Sequence, residues 1–341
     1  MNTYEKARMK KIPQVAPPLT LNAGYFVEQE YVSYKEMSES STDNWEYHCT
    51  YELRPKALTG KHQILSLERM LISLGKRPGG MMHDVLSAEG SITLGVQVYV
   101  EDKSTFDKLK LQTDDILIFD DTCAYNYMTN KKVELAVVTI KREAFGALLP
   151  HFEKACLHKL VDTDQRLGQL LNDIWHAFTG EDPRTDYKNA EQEILTVLAS
   201  LITEQEPQSP RLTKGEEIAY AIRKQVYEHM DGNVKTSDLA RTYQISEQGL
   251  QNSFKSLFGF TPKLFIRQLK LNLVRHDLSH NEDPDLTVMR VAQKWGFLHM
   301  GRFSQYYSEL FEEKPSETLK RSFEHAKAFT GECVDRKEEI T

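Results

Sequence analysis

Nowhere in the 341 residues does an apolar run approach the roughly 18 to 20 residues that a bilayer span needs. The first 21 residues contain no apolar core of the kind a secretory signal requires, and the chain reads as cytoplasmic, with no membrane partner. Cysteine is scarce: Cys49, Cys123, Cys156 and Cys333 are widely scattered, so neither a CxxC metal pattern nor a disulfide framework is visible, and the four read as reduced thiols. No HxH occurs, and His48, His62 and His83 stand far apart, which argues against a metal-dependent cupin enzyme. His276 and His280 have the i, i+4 spacing that can hold a metal on a helix, but a surface pair is the plainer reading. No glycine-rich phosphate loop follows a strand; Gly79-Gly80 after Pro78 is a turn. No cofactor, metal or catalytic group is expected.

An excess of basic charge is also missing. The net charge of −7 looks wrong for a partner as anionic as DNA, whose binding draws on Lys and Arg. The imbalance is local, however: residues 211–324 carry 17 Lys/Arg against 15 Asp/Glu, and 255–302 carry 8 against 4. The four acids there, Asp277, Glu282, Asp283 and Asp285, fall in one loop, which leaves room for a modest basic face.

What is present divides in two, as the length suggests. Residues 1–20 mix Lys and Arg with Pro13, Pro17 and Pro18 and read as a flexible arm. From 23 to 140, short β-branched and aromatic runs (45–53, 62–72, 91–100, 115–119, 133–140) separated by turn residues predict a small antiparallel barrel or sandwich. From 142 the period becomes helical, over 143–160, 164–179 and 187–203. The fold class is therefore α+β: a β-barrel or cupin-like sensor and dimerisation domain with flanking helices over 21–202, a polar linker at 203–212, an all-α domain over 213–325, and a tail at 326–341.

Inside the last third is a repeat. Leu239-Ala240 corresponds to Val291-Ala292, 52 residues on, and Leu257-Phe258 and Pro262 correspond to Leu310-Phe311 and Pro315, 53 residues on. Each copy (about 236–257 and 288–311) has a short helix with a small residue at the crossing point, a tight turn, and a second helix with one apolar face, which is the grammar of a helix-turn-helix. In the first, Ser246 can cap the second helix while Leu250, Phe254 and Leu257 face inward, leaving Gln248, Gln251, Asn252 and Lys255 outward. In the second, Phe303, Tyr307 and Leu310 face inward, and Met300, Gly301, Arg302, Ser304 and Gln305 point away. Gln and Asn can pair bidentately with adenine, Arg with guanine or phosphate, and Met or a bare Gly surface can meet a thymine methyl, so both faces suit a major groove. Residues 263–279 read as one helix of about 25 Å that could set the two readers about one DNA turn apart, with Arg267, Lys270 and Arg275 near phosphates.

At these residues, over about 217–323, the chain resembles the AraC/XylS family of transcription regulators, most specifically at 295–319 (WGFLHMGRFSQYYSELFEEKPSETL). Within the family it is most similar to ethanolamine-operon regulators, through 244–258, 267–275 and the PSETL ending, and more faintly through 77–99. The resemblance implies double-stranded DNA as partner, a homodimer, a small effector bound by the N-terminal domain, and activation through RNA polymerase. Two residues depart from an ideal reader: Glu247 places a negative charge near the start of one recognition helix, and Gly301 lowers helix propensity in the other by about 1 kcal/mol. For the effector pocket the candidates are Tyr47, His48, Glu68, Arg69, Arg77, Tyr99 and Asp120. An N-terminal domain used only for dimerisation or for a protein partner is the alternative.

Overall fold

A computed structural model describes residues 19–31, 47–53, 60–77, 79–122, 125–228, 235–280, 283 and 285–323. The β-rich segment forms two antiparallel sheets. The larger holds β1 (Phe26–Tyr31), β3 (Gly60–Ser66), β4 (Met70–Arg77), β11 (Val133–Lys141), β6 (Ser91–Val100), β9 (Asp115–Asp120) and β12 (Lys159–Val161), in that order across the sheet. The smaller runs β2 (Tyr47–Glu52), β5 (Met81–Leu86), β10 (Tyr125–Thr129), β7 (Ser104–Phe106) and β8 (Leu109–Leu111). They face each other as a cupin-like sandwich and are not closed into a barrel.

Strand alternation explains the layers. Odd positions on β9 and β11 (Leu117, Phe119, Val133, Leu135) meet Val85, Phe106, Tyr125 and Tyr127 of the smaller sheet. Even positions (Ile116, Ile118, Ala136, Val138) turn the other way, against α2 (Arg166–Thr179) and α3 (Tyr187–Glu204). Between the sheet and those helices, the segment predicted as one helix over 143–160 is broken. A 3-10 turn (Arg142–Leu148) contains Gly146 at φ 52°, α1 (Leu149–Ala155) is short, and the chain then becomes β12. The predicted run 62–72 likewise divides at Leu67–Arg69 into the β3–β4 hairpin.

The predicted linker is tied down at its start. Gln205 brackets Val161 through its side-chain amide, and Gln208 exchanges backbone hydrogen bonds with Lys159 at 2.8 and 3.1 Å. Then follow α4 (Lys214–Glu228), α5 (Thr236–Thr242), α6 (Glu247–Phe258), α7 (Pro262–Ser279), α8 (Val288–Lys294), α9 (Met300–Phe311) and a helical stretch over 315–323. Thr261 caps α7 with Pro262 at its first position, a start signal in which the missing proline N–H costs nothing.

These helices form two cores. The first unit's core (Ala219, Ile222, Leu250, Phe254, Leu257, Phe258, Phe265, Leu269) is continuous with Tyr51, Leu53, Met82 and Met128 on the outer face of the smaller sheet. The second (Leu271, Val274, Leu278, Val291, Trp295, Phe303, Tyr307, Leu310) is helical throughout.

Candidate nucleic-acid interface

The 52-residue repeat is a repeat of hydrogen bonds. In the first unit the Ile245 N–H donates to the Ala240 carbonyl at 3.0 Å; in the second the Phe297 N–H donates to the Ala292 carbonyl at 2.9 Å. Both turns pass through a left-handed residue, Gln244 at φ 52° and Gly296 at φ 83°. The two alanines are buried at the crossing, where a larger side chain would push the helices apart. After the turn the copies diverge. Ser246 Oγ accepts from the Gly249 N–H at 3.0 Å and caps α6, whereas α9 starts at His299 with no side-chain cap.

Both recognition helices present a polar outer face. Leu250, Phe254 and Leu257 are buried under α6, while Gln248, Asn252 and Lys255 are exposed and Gln251 is half-buried. The Gln248 amide donates to the Asn252 carbonyl oxygen at 2.9 Å, joining two of the predicted contact residues one turn apart. Glu247 is exposed in the first turn, where it faces the helix dipole favourably. Under α9, Phe303, Tyr307 and Leu310 are buried; Gly301, Arg302, Ser304 and Gln305 are exposed and Met300 is half-buried. Nothing stands within 4 Å of the position a Cβ would take on Gly301, so that face is open as well as polar.

The segment after α9 braces the second unit. Tyr307 Oη and Thr318 Oγ1 are 2.8 Å apart, and Thr318 in turn donates to Glu313 at 2.8 Å. Asp277, in the last turn of α7, accepts from the Trp295 indole at 2.8 Å and from Lys294 at 2.7 Å. Burial pushes the Asp277 carboxyl up, but hydrogen bonds from Lys294 and Trp295, with the His276 ring alongside, outweigh it and hold it below the usual range. Those bonds fix the turn of the second unit against α7.

The three cations read as phosphate contacts are placed otherwise. Arg267 is half-buried with its guanidinium stacked 4.1 Å over the Tyr306 ring. Lys270 is buried, and burial lowers its pKa. Arg275 reaches the Glu52 carboxylate of β2, sits 3.4 Å from Glu313 and stacks on Phe311. None is a free surface cation here, because α7 packs against α6, α8, α9 and β2 and has little outer face left.

Residues 239–321 match the profile of the helix-turn-helix domain family. A XylDLEGF operon transcriptional activator of Pseudomonas putida is 34% identical over 96 residues, covering 28% of this chain and 30% of that one. A second such activator from the same organism is 38% identical over 98 residues, 28% of this chain and 62% of that one. Over these residues the C-terminal region matches a helix-turn-helix domain and is similar to the corresponding part of these activators. The shared segment spans less than two thirds of these relatives' own length. Among solved structures, the AraC-like transcriptional activator CuxR aligns over 74% of this chain and 96% of its own at 11% identity, with a TM-score of 0.43.

The candidate effector residues on the sheet domain are not brought together. Glu68 is exposed in the β3–β4 turn. Arg69 is spent on Glu191 of α3, which accepts from its guanidinium at 2.7 Å and its N–H at 2.5 Å. Tyr99 is exposed beside Lys132. Asp120 accepts from Tyr125 Oη at 2.7 Å and from Thr122. Tyr47 and His48 lie on β2, and their side chains are outside the described residues. Arg77 alone lines the space between the sheets, a cavity of about 40 Å³ shared with Val85, Gln97, Phe106, Phe119 and Tyr127. There Tyr127 Oη donates to Gln97 Oε1 at 3.0 Å, and burial pushes the Tyr127 phenol up to about 12, so it stays protonated. Sequence reading missed Gln97 and Tyr127, although both stand at inward positions of alternating strands. Among the described residues no helix is long and apolar enough to cross a membrane, and no cluster of three or more metal-type ligands occurs.

Proposed function

We propose that this protein is a sequence-specific DNA-binding transcription regulator, an activator, whose AraC-type domain reads adjacent major grooves with α6 and α9 under the control of the sheet domain. The observation that carries it is the repeat itself: two exposed polar helix faces, each behind a buried crossing alanine, mounted on one buried helix of 18 residues. At ~1.5 Å per residue α7 is about 27 Å long, comparable to the ~34 Å of one duplex turn. The base-reading set is Ser246, Gln248, Gln251, Asn252 and Lys255 on one helix and Met300, Gly301, Arg302, Ser304 and Gln305 on the other. Activation runs through contact with RNA polymerase, and a second copy of the chain pairs with the first. The likeness of 244–258 and 267–275 to ethanolamine-operon regulators supports placing the target genes in that direction.

The sheet domain exerts its control through a small effector held between the sheets at Arg77, Gln97 and Tyr127. One observation favours the other reading, in which this domain only dimerises or holds a protein: a cavity of about 40 Å³ is far below the roughly 300 Å³ of ordinary ligand pockets. Selection of duplexes from a randomised pool by the full chain tests the DNA reading. It should return two short elements about 10 base pairs apart; a pool with no enrichment would overturn it. Heat stability of the full chain against a panel of small metabolites separates the two control schemes, since a ligand of the folded state raises the melting temperature.

A further inference from the structure

The second helix-turn-helix unit is one residue longer than the first, and the hydrogen bonds show where the extra residue stands. Counted from the caps, the two recognition helices agree: Ser246 precedes the inward Leu250 by four positions, and His299 precedes the inward Phe303 by four. Counted from the turns they do not. Ile245, whose N–H closes the first turn, is followed at once by the cap Ser246, whereas Phe297, which closes the second, is followed by Leu298 and only then by His299. Leu298 is therefore the insertion, with no counterpart in the first unit. At 75% exposed it is also the most exposed large hydrophobic residue among the described residues.

A single exposed leucine is ordinary; the company this one keeps is not. Matched from the caps, Glu247 of α6 corresponds to Met300 of α9 and Gln248 to Gly301. Where the first helix opens with a carboxylate and an amide, the second opens with a half-buried thioether and a bare backbone that has nothing within 4 Å of its missing Cβ. A recognition helix enters the major groove by its N-terminal end, and the one apolar group displayed on that groove's wall is the 5-methyl of thymine. We propose that Leu298 is a specificity-determining residue of the second unit: its side chain meets a thymine methyl, with Met300 beside it and Gly301 leaving room for the base pair to approach. The proposal rests on the DNA-binding reading above and deepens it, because the two copies then read by different chemistry, α6 through amide hydrogen bonds and the tip of α9 through methyl contact. Since the recognised group is the methyl, 5-methylcytosine, which carries its methyl at the same place in the groove, should stand in for thymine at that position.

The test uses duplexes enriched by the full chain from a randomised pool, the second element being the one whose preference Arg302→Ala relaxes. Each thymine there is replaced singly by uracil, which lacks only the methyl, or its base pair by one of guanine with cytosine or with 5-methylcytosine. For the unaltered chain, uracil at one position should cost roughly 4-fold in affinity, the worth of about one methyl group taken out of water. Cytosine should bind more weakly than 5-methylcytosine there by a similar factor. Leu298→Ala should bind thymine and uracil alike at that position, with an unchanged melting midpoint because most of the side chain faces solvent. Leu298→Gln, which offers an amide in place of the apolar group, should move the enriched base there from thymine to adenine. An unaltered chain indifferent to uracil throughout the second element overturns the proposal and leaves the DNA-binding reading intact. So does a Leu298→Ala protein with undiminished sensitivity to uracil; if that protein also loses promoter output in a purified transcription assay, the side chain serves a protein partner instead. If the full chain enriches no duplex, the DNA-binding reading falls and the methyl contact with it.

Discussion

The same backbone hydrogen bond closes the turn at Ala240–Ile245 and at Ala292–Phe297, yet the two units rest on different supports. The first shares its core with Tyr51, Leu53, Met82 and Met128 of the sandwich, and its α4 is pinned there by Arg223 and Glu216. Burial pushes Glu216 up, but hydrogen bonds from Lys110, Thr213 and Ser256 outweigh it and hold its carboxyl at about 2, so this anchor stays charged. The second unit completes its core with its own helices and with Leu319 from the stretch behind it. A duplicated motif has thus been divided by its surroundings: the apolar core of one copy is shared with the sheet domain, and that of the other is helical throughout. Gly259 marks that boundary. It ends α6 at φ 75°, and a Cβ there would fall 2.4 Å from the Asn130 amide of the sandwich, so only glycine both turns the helix and lets the two domains close.

The largest effects should come from emptying each core. Phe303→Ala and Phe254→Ala remove fully buried rings, and each should cost about 3–5 kcal/mol. Denaturant melts followed by hydrogen exchange should show the first loss confined to the second unit and the second loss also loosening β2 and β5. Equal spread from both would erase the distinction between the supports. On DNA, Arg302→Ala and Gln248→Ala should each weaken specific binding by ~1–3 kcal/mol, if each removes a bidentate base contact. They should relax preference at base positions about one duplex turn apart in a selection experiment; relaxed preference at the same positions would mean the units do not read separately.

Capping sharpens the contrast. Ser246→Ala should lose about 1 kcal/mol from the first unit, and His299→Asp, at a helix start that has no side-chain acceptor, should add about 0.5–1 kcal/mol to the second, both read as shifts in melting midpoint. The smallest effect is that of pH on the Glu52–Arg275 contact. Burial pushes the Glu52 carboxyl up to about 7, opposed by Arg275 and reinforced by Glu313 and Glu312. A carboxyl raised in the folded chain contributes its full stability below its ordinary value and loses it as pH climbs through 7. The Glu52 amide donates to Asn272 Oδ1 at 2.9 Å. Corrected for intrinsic rate, it should therefore open more readily at pH 8 than at pH 6, while Glu52→Gln, with no proton to lose, should show no such trend.

Much of the helical domain was legible because its signals are local. Ser246 lies three residues before the N–H it caps, and Phe303, Tyr307 and Leu310 are spaced at the helical period, so neighbours in sequence are neighbours on the helix. The connecting helix was predicted over 263–279 and found at Pro262–Ser279. What misled was the habit of sending charges to solvent. Arg275 finds its partner 223 residues away, on a strand whose place in the sheet no local pattern announces. The candidate effector residues scatter for the same reason: no local pattern says that Glu191 from α3 will claim Arg69 in the β3–β4 turn while Arg77, at the end of β4, turns into the sandwich.

Because α7 touches both recognition units along its length, the two readers behave as arms keyed to one shaft. If the two units read DNA as proposed, their phase follows that shaft. Adding one base pair between the two elements of a binding site turns the second by roughly 34° about the duplex axis. Such a site should then engage one arm alone.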